Sequence, residues 1–330
     1  MRSAGLEGLE LETRERPEPG PGEVLLRLRA SCLNYHDYVV LQGRSPVDYP
    51  RVPLSDGCGE VIGTGPGVAR LAVGDRVAPN FFIGWASGRP TLEDWRNVLG
   101  DSIDGCAQDY LSVPAAGVAK VPAHLTDLEA ATLPCAGLTA WNALVEPGLV
   151  AGETLLVQGT GGVSIFALQF GKALGAEVIV TSSSDEKLER ARGLGADHTV
   201  NYRRTPEWQA SVREITDGRG ADLIVDVGGR DTLARSVKAA AVGGRIALVG
   251  VLGGFGDAPF NPSATFSKHL RLYGIGVGSR EDFDAMNRCV AQHRLRPVVS
   301  DVFPLEETAD AARLLERGGH LGKIAVSIAD

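Results

Sequence analysis

The residues best suited to chemistry in this chain form a glycine-rich stretch, Gly159-Thr160-Gly161-Gly162-Val163-Ser164. It follows a short apolar run, Thr154 to Gln158, and opens an amphipathic pattern, Val163 to Leu174, which together predict a strand, a tight turn and a helix. The first glycine permits the turn, the second lets a diphosphate approach the backbone, and the helix N-terminus offers free N–H groups. We therefore predict a dinucleotide-binding loop; an ordinary glycine-rich turn between strand and helix is the alternative.

The residue that follows the second predicted strand, about twenty positions on, bears on which dinucleotide binds. An acid there would hold the NAD ribose and repel a 2′-phosphate. This chain has Ser182, Ser183 and Ser184 instead, with Lys187 shortly after. Hydroxyl and ammonium groups can donate to a phosphate, so we predict NADPH as cofactor, with NADH possible. The same serines could also cap the next helix and leave Lys187 in solvent, and both interpretations can hold together.

The chain has two regions with different patterns of predicted secondary structure, and the glycine-rich stretch lies in the second. From about residue 123, apolar runs alternate with helical patterns, which predicts a doubly wound parallel sheet of the Rossmann type. Its six predicted strands are Thr154 to Gln158, Glu177 to Thr181, His198 to Tyr202, Asp222 to Val227, Arg245 to Val249 and Leu270 to Ile275. The first third instead has short strands between Gly/Pro turns, which predicts a small β-rich, barrel-like domain. The fold class is therefore α/β.

Composition excludes several classes of function. The chain has 330 residues, of which 44% are apolar and 22% charged, as in a soluble globular protein. Its formal net charge of −8 argues against a nucleic-acid or anionic-membrane partner, because both need clustered Lys and Arg. The segment Met1 to Pro19 lacks the apolar core of a signal peptide, and no apolar run is long enough to span a membrane. Five scattered cysteines without a C-x-x-C pair indicate free thiols in a reducing compartment, so we predict a cytoplasmic protein. We expect its partner to be a small-molecule substrate.

Taken together, several segments give the chain a family resemblance over nearly its full length. They are Asn34-Tyr35-His36-Asp37, Gly59-Glu60-Val61-Ile62-Gly63, Val73-Gly74-Asp75-Arg76-Val77, Leu133-Pro134-Cys135-Ala136-Gly137-Leu138-Thr139-Ala140-Trp141, Gly193-Leu194-Gly195-Ala196-Asp197 and Gly322-Lys323-Ile324, beside the glycine loop. With them the chain resembles the medium-chain dehydrogenase/reductase superfamily. The resemblance implies a GroES-like catalytic domain over residues 1–122 and 279–330, a Rossmann domain over residues 123–278, and a homodimer or tetramer.

The resemblance is weakest where zinc alcohol dehydrogenases of this superfamily hold their metal. The positions that match their Cys, His and Cys ligands are Asn34, Asp56 and Cys135, so only one ligand type is kept. Residues 80–104, which match the lobe with four structural cysteines, contain none. Since Zn²⁺ prefers Cys, His or carboxylate donors and an amide is a poor one, we expect no metal. The chain in this respect resembles the zinc-free quinone-oxidoreductase branch, which includes many NAD(P)-dependent alcohol dehydrogenases.

The resemblance also assigns candidate site residues. It places the substrate near Asn34, Tyr35, His36 and Asp37; His36 lies where zinc enzymes carry a proton-relay hydroxyl, although a purely structural histidine is equally compatible. The residues it places along the cofactor are Thr139, Tyr202, Val227, Gly228, Gly250, Val251, Ile275, Val277 and Lys323. For Lys323 the alternative is a plain surface lysine. An aromatic segment containing Phe81, Phe82, Trp85 and Trp95 suits either a planar substrate or domain packing.

These observations support one leading function and two alternatives. We predict an NADPH-preferring, zinc-independent oxidoreductase that moves hydride between the nicotinamide and a quinone, an enone, or an aldehyde/alcohol substrate. The first alternative is a zinc-dependent alcohol dehydrogenase. The second is a non-catalytic NADPH-binding protein.

Overall fold

The computed structural model describes residues 1–254, 256–258 and 261–328, and it divides into two compact units. The first unit comprises Met1–Leu138 and Val277–Asp330, and the second comprises Thr139–Gly276. Residues 123–138, 277 and 278 thus lie in the first unit, whereas the family resemblance implies that they belong to the Rossmann domain. In both descriptions the second unit is inserted between two segments that fold together.

The N-terminal segment is mostly strand. Its elements are β1 (Glu23–Cys32), α1 (Tyr35–Leu41), β2 (Asp56–Thr64), β3 (Arg76–Pro79), β4 (Tyr110–Pro114), β5 (Val118–Lys120) and α2 (Asp127–Ala130). Long antiparallel pairing joins β1 to β2, with two register shifts that bend the ladder. Val24, Leu26 and Leu28 alternate along β1 and are buried in one core with Val61 and Val77. The short strands between Gly/Pro turns were predicted from this alternation.

The second unit alternates strands and helices. Its elements are α3 (Leu138–Val145), β6 (Thr154–Gln158), α4 (Gly162–Ala173), β7 (Glu177–Ser182), α5 (Asp185–Gly193), β8 (His198–Asn201), α6 (Trp208–Ile215), β9 (Ala221–Asp226), α7 (Leu233–Ala239), β10 (Ala240–Leu248), α8 (Pro262–Ser267) and β11 (Arg271–Gly274). A π-helical turn, Leu133–Gly137, directly precedes α3. The six strands are parallel in the order β11-β10-β9-β6-β7-β8. The predicted doubly wound sheet is confirmed.

The order of these strands reverses direction at β6, whose neighbours are β7 and β9. In open parallel sheets, ligands bind beyond the carboxyl ends of the strands at such a switch point. All five residues of β6 are buried, which suits the apolar run Leu155 to Val157 at its centre. The glycine-rich stretch follows β6 directly, so the fold places it at the switch point.

The chain returns to the first unit through α9 (Arg280–Gln292), β12 (Val299–Pro304), α10 (Thr308–Arg317) and β13 (Lys323–Ser327). The sheet of this unit has the order β12-β13-β1-β2-β3-β5, and β4 also pairs with β1. Strand β13 pairs antiparallel with the end of β1, where Cys32 lies opposite Ala325. The first residue of β13 is thereby brought close to the residues that follow β1. Among the described residues, no helix is both long and apolar enough to cross a bilayer.

Candidate active site

The glycine loop after β6 has the geometry that the sequence predicts. Gly159 has a φ of +78°, which favours glycine, and its N–H donates to the Thr181 carbonyl at 2.8 Å. Gly161 is the N-cap of α4, and a Cβ placed on it would have no neighbouring atom within 4 Å. The space in front of the helix N-terminus is therefore open. Free N–H groups and the positive end of the helix dipole face it, which suits a diphosphate.

Ser164 stands where the dinucleotide fingerprint usually has its third glycine. Its hydroxyl is buried and donates to the Gln158 carbonyl at 2.7 Å, so the helix is tied back to the strand end. Further along α4 the helix packs tightly on the sheet at Gly171, where a Cβ would lie 2.6 Å from Leu155 Cδ2. A serine at the fingerprint position is therefore compatible with close helix–sheet packing.

The residues after β7 combine capping with potential donors. Ser184 is the N-cap of α5 and accepts from the Lys187 N–H at 3.3 Å, which confirms the capping interpretation for this serine. Ser182 is buried, whereas Ser183 and the Lys187 side chain are half-buried. Burial lowers the pKa of Lys187. Tyr202 is exposed after β8, and its N–H donates to the Ser182 carbonyl at 3.0 Å.

A buried carboxylate fixes the loop after β9. Asp226 Oδ1 accepts from the Gly228 and Gly229 N–H groups at 3.1 and 2.9 Å, and its Oδ2 accepts from Ser236 Oγ and Gln158 Nε2 at 2.5 and 3.2 Å. Sequence reasoning missed Asp226, although an acid that ends an apolar strand is a recognisable signal. The bonds hold the Val227–Gly228 backbone at the carboxyl end of the sheet.

The other predicted cofactor residues divide between the two units. In the second unit, a Cβ on Gly250 would lie 2.5 Å from the Val227 carbonyl, which explains the glycine there. Val251 follows it and is exposed, Ile275 donates its N–H to the Leu248 carbonyl at 3.0 Å, and Thr139 is buried in α3. The structure places Val277 and Lys323 in the first unit. Val277 has a φ of +58°, an unusual conformation for a β-branched residue.

In the first unit, Asp37 braces the start of α1. Its Oδ2 accepts from the Asn34 N–H at 2.7 Å, and its Oδ1 accepts from the Ser55 N–H at 2.8 Å. Burial raises the pKa of Asp37, and the neighbouring His36 and these N–H donors oppose that shift. Asp37 thus orders two backbone segments, and its contacts are those of a structural carboxylate.

Lys323 is buried, with 3% of its surface exposed, so it is not a surface lysine. Its ammonium donates to the Leu33 carbonyl at 2.7 Å and to Asn34 Oδ1. Asn34 Nδ2 donates in turn to Ser55 Oγ at 3.1 Å. The amide is therefore oriented by a cation on one side and a hydroxyl on the other.

Asp56 is the principal carboxylate facing this lysine. It is fully buried, and its Oδ2 accepts from the Cys135 N–H at 3.3 Å and from the Cys32 thiol at 3.5 Å. Burial raises the pKa of Asp56 to about 6, and Lys323 limits the rise. Burial lowers the pKa of Lys323, but the surrounding acidic groups outweigh it, so that pKa is raised. Burial also raises the pKa of both thiols well above its usual range. We call Cys32, Asn34, Asp56, Cys135 and Lys323 the polar cluster.

His36 has its own carboxylate partner. Its Nε2 lies 3.3 Å from Asp101 Oδ2, and its ring meets the Phe81 ring edge-on at 5.1 Å. Burial lowers the pKa of His36, but Asp101 and two further carboxylates outweigh it, and the net pKa is raised. Ser45 Oγ donates to Asp101 at 3.2 Å. No local pattern in the sequence connects Asp101 to His36.

The aromatic residues near His36 differ in exposure. Phe81, Phe82 and Trp85 are buried and pack against each other, which supports the packing interpretation for these three. Trp95 is 47% exposed and stacks on Phe82 at 4.9 Å. Tyr35 is half-buried in the first turn of α1.

Comparison with known proteins identifies the family. A model described as "Alcohol dehydrogenase GroES-like domain" matches residues 20–123, and one described as "Zinc-binding dehydrogenase" matches residues 162–292. A zinc-type alcohol dehydrogenase-like protein of Schizosaccharomyces pombe is 40% identical over 98% of this chain and 96% of that protein. The chain belongs to the medium-chain dehydrogenase/reductase superfamily. It is an alcohol-dehydrogenase-like oxidoreductase with a nicotinamide cofactor, and its GroES-like and Rossmann architecture is that of the family.

Two solved structures show the same fold. One, described as an NAD-dependent alcohol dehydrogenase, is 38% identical with a TM-score of 0.92 and covers 100% of this chain and 98% of that chain. The other is a mycobacterial protein in complex with NADPH, 27% identical with a TM-score of 0.82, covering 99% of this chain and 97% of that chain. Structures of this family therefore include one named for NAD and one that contains NADPH.

The polar cluster does not fit the catalytic zinc that some members of the family carry. Asn34 Oδ1 already accepts from the Lys323 ammonium, and Asp56 Oδ2 accepts from Cys135 and Cys32. In the part of the chain that the structure describes, no three His, Cys, Asp or Glu side chains converge as a metal site. The donors therefore bond to each other and to an ammonium group.

Proposed function

We propose that this protein is an NADPH-preferring oxidoreductase that works without zinc on quinones, enones, or aldehyde/alcohol pairs. The observation that carries the proposal is the open N-terminus of α4, where the N-cap Gly161 leaves open space in front of the helix at the switch point of the sheet. The nicotinamide supplies hydride when it is bound. The residues of this chain bind the diphosphate, position the reactants and provide the proton.

The preference for NADPH is supported by the groups beyond β7 and β8. Ser183 and Lys187 carry hydrogen-bond donors, and the residue directly after β7 is not an acid. Arg203, which follows Tyr202 in the chain, is exposed. Such donors attract a 2′-phosphate, whereas an acid would repel it. Replacing Lys187 and Arg203 by Gln should weaken NADPH binding about tenfold and leave NADH binding nearly unchanged.

His36 is the group that we propose as proton donor. It is half-buried, and Asp101 favours its protonated form. His36→Ala should lower turnover more than cofactor affinity, and Asp101→Asn should move the decline of turnover with pH to lower pH. Wild-type kinetics in both variants would make His36 a structural residue.

Zinc independence is supported by the bonding of the polar cluster. The names of relatives favour the other candidate, a zinc-dependent alcohol dehydrogenase, since one is described as zinc-type. Metal analysis of the purified protein and turnover after dialysis against a chelator separate the two. Stoichiometric zinc together with loss of turnover on chelation would reject the zinc-free proposal.

The proposal as a whole is tested by a fluorescence titration with NADPH and NADH. The preferred cofactor is then oxidised in the presence of a quinone, an enone and an aldehyde. We expect tight NADPH binding and turnover with at least one of the three. Tight binding without turnover on any of them would instead identify a non-catalytic NADPH-binding protein.

We further propose a homo-oligomer that forms in the cytoplasm. Strand β11 is an edge of its sheet, and the side chains of Leu272, Phe266 and Val242 near it are exposed. An edge strand with exposed apolar neighbours favours pairing with another chain. The five cysteines are unpaired, which suits a reducing compartment. Light scattering should give at least two chains per particle, and Leu272→Lys should reduce that number.

A further inference from the structure

Backbone geometry places the Lys323 side chain firmly. The Lys323 N–H donates to the Val298 carbonyl at 2.9 Å, and a Cβ on the preceding Gly322 would lie 2.4 Å from the same carbonyl. Gly322 also has a φ of +73°. The chain can therefore approach Val298 only with glycine at this position, and β13 begins with the lysine aimed at Leu33 and Asn34.

The charges of the polar cluster balance around this ammonium. A buried cation needs a nearby anion, and Asp56 is a fully buried carboxylate that Lys323 affects directly. A metal ion at this position would therefore have to displace the ammonium from Asn34 Oδ1 and from the Leu33 carbonyl.

We propose that the ammonium of Lys323 is a built-in cation that excludes a divalent metal from the position between Asn34, Asp56 and Cys135. This inference rests on the proposed zinc-free function and explains it. Asn34 Oδ1 and Asp56 are the oxygens that a metal would need. Lys323 uses the first directly and balances the charge of the second.

The exclusion follows from electrostatics and from the number of donors. A divalent ion beside the ammonium would be repelled at short range in a site with little water. Displacing the lysine would leave its charge buried without Leu33 and Asn34 as acceptors. Among the described residues, Cys32, Cys135 and Asp56 do not converge as a metal site while the ammonium is in place. Removing the lysine vacates the space of the ammonium and frees Asn34 Oδ1, so that these side chains can turn toward a metal ion there.

The test measures Co²⁺ binding, because cobalt bound by thiolates absorbs visible light. The full-length wild-type protein should bind none on titration with Co²⁺. Lys323→Met should bind about one Co²⁺ per chain with a thiolate-to-metal absorption band. The matched control, Lys323→Met/Asp56→Asn, keeps the methionine but lacks the carboxylate and should bind at least about tenfold more weakly.

Each outcome decides the question. Stoichiometric Co²⁺ in the wild type overturns the inference whether or not the variants fold. A folded Lys323→Met that binds no Co²⁺ also overturns it, with folding checked by circular dichroism. These failures are separate from failure of the proposed function: a metal-free wild type that does not oxidise NADPH with any substrate refutes the function and leaves Lys323 as the excluding cation.

Discussion

The glycine loop of the second unit and the polar cluster of the first unit differ in whether their polar groups are already hydrogen-bonded within the protein. The loop uses backbone: Gly159 turns the chain, and Gly161 leaves open space before the N-terminus of α4. The polar cluster uses side chains that already satisfy each other, as with Lys323 and Asn34. The first region gains its bonds when a ligand arrives, whereas the second has made its bonds on folding.

This difference predicts where mutations act. Changes in the loop should alter ligand affinity with little effect on folding, since few of its groups are bonded within the protein. Changes in the polar cluster should alter stability first, because a buried charge left alone is costly.

Lys323→Met should have the largest effect. It removes the donor of the Leu33 carbonyl and of Asn34 Oδ1 and the cation that opposes the rise in the pKa of Asp56, and removing a buried charge from such a group costs about 3–5 kcal/mol. Chemical denaturation of wild type and variant measures the change in the free energy of unfolding. The double variant Lys323→Met/Asp56→Asn should recover at least half of the loss; a double variant as unstable as the single one would show that Lys323 does not act through charge.

The pH dependence of stability should show Asp56 separately. Its pKa rises from 3.8 to about 6 on folding, so the folded state binds this proton more tightly than the unfolded state. Asp56 therefore contributes about 3 kcal/mol to the free energy of unfolding at low pH, and this contribution is lost as the pH rises from 3.8 to about 6. Asp56→Asn removes this term, so the variant should gain stability relative to wild type from pH 4 to pH 6. A difference independent of pH would place the titration elsewhere.

Gly161→Asp should abolish useful cofactor binding. A carboxylate in the open space before α4 would occupy the place of the diphosphate and repel it, weakening NADPH binding by at least about 100-fold. Fluorescence titration measures the affinity. Gly193→Asp is the control, because Gly193 is exposed in the same unit and its Cβ would also meet nothing within 4 Å. Equal affinities in the two variants would reject this placement of the loop.

The sequence predicted the loop well because its members are contiguous. The strand Thr154–Gln158 was predicted to the residue, and the fingerprint after it fixed the turn. Capping by the serines after β7 was one of two interpretations, and the structure confirms it for Ser184, whose side chain accepts from the Lys187 N–H.

The polar cluster could be predicted only in part. Resemblance to the family identified Asn34, Asp56, Cys135 and Lys323 as separate positions. It did not reveal the Lys323–Asn34 bond, because that bond depends on the pairing of β13 with β1, which brings together residues 289 positions apart. Asp101 and Asp226 were missed for the same reason, since their partners come from other segments or from a loop whose course the sequence does not specify.

The smallest effect should come from Ser164→Ala, which sharpens the contrast from within the loop. The Ser164 hydroxyl faces the protein and donates to the Gln158 carbonyl at 2.7 Å, so it belongs to the group of bonds made on folding. Its loss should cost about 1 kcal/mol of stability, while NADPH affinity should change by less than about threefold. Denaturation and fluorescence titration of the same sample measure both. Ser184→Ala offers a comparison, since that hydroxyl caps α5. If Ser164→Ala weakened NADPH binding as strongly as it destabilised the fold, the Ser164 hydroxyl would belong with the groups that bind the cofactor.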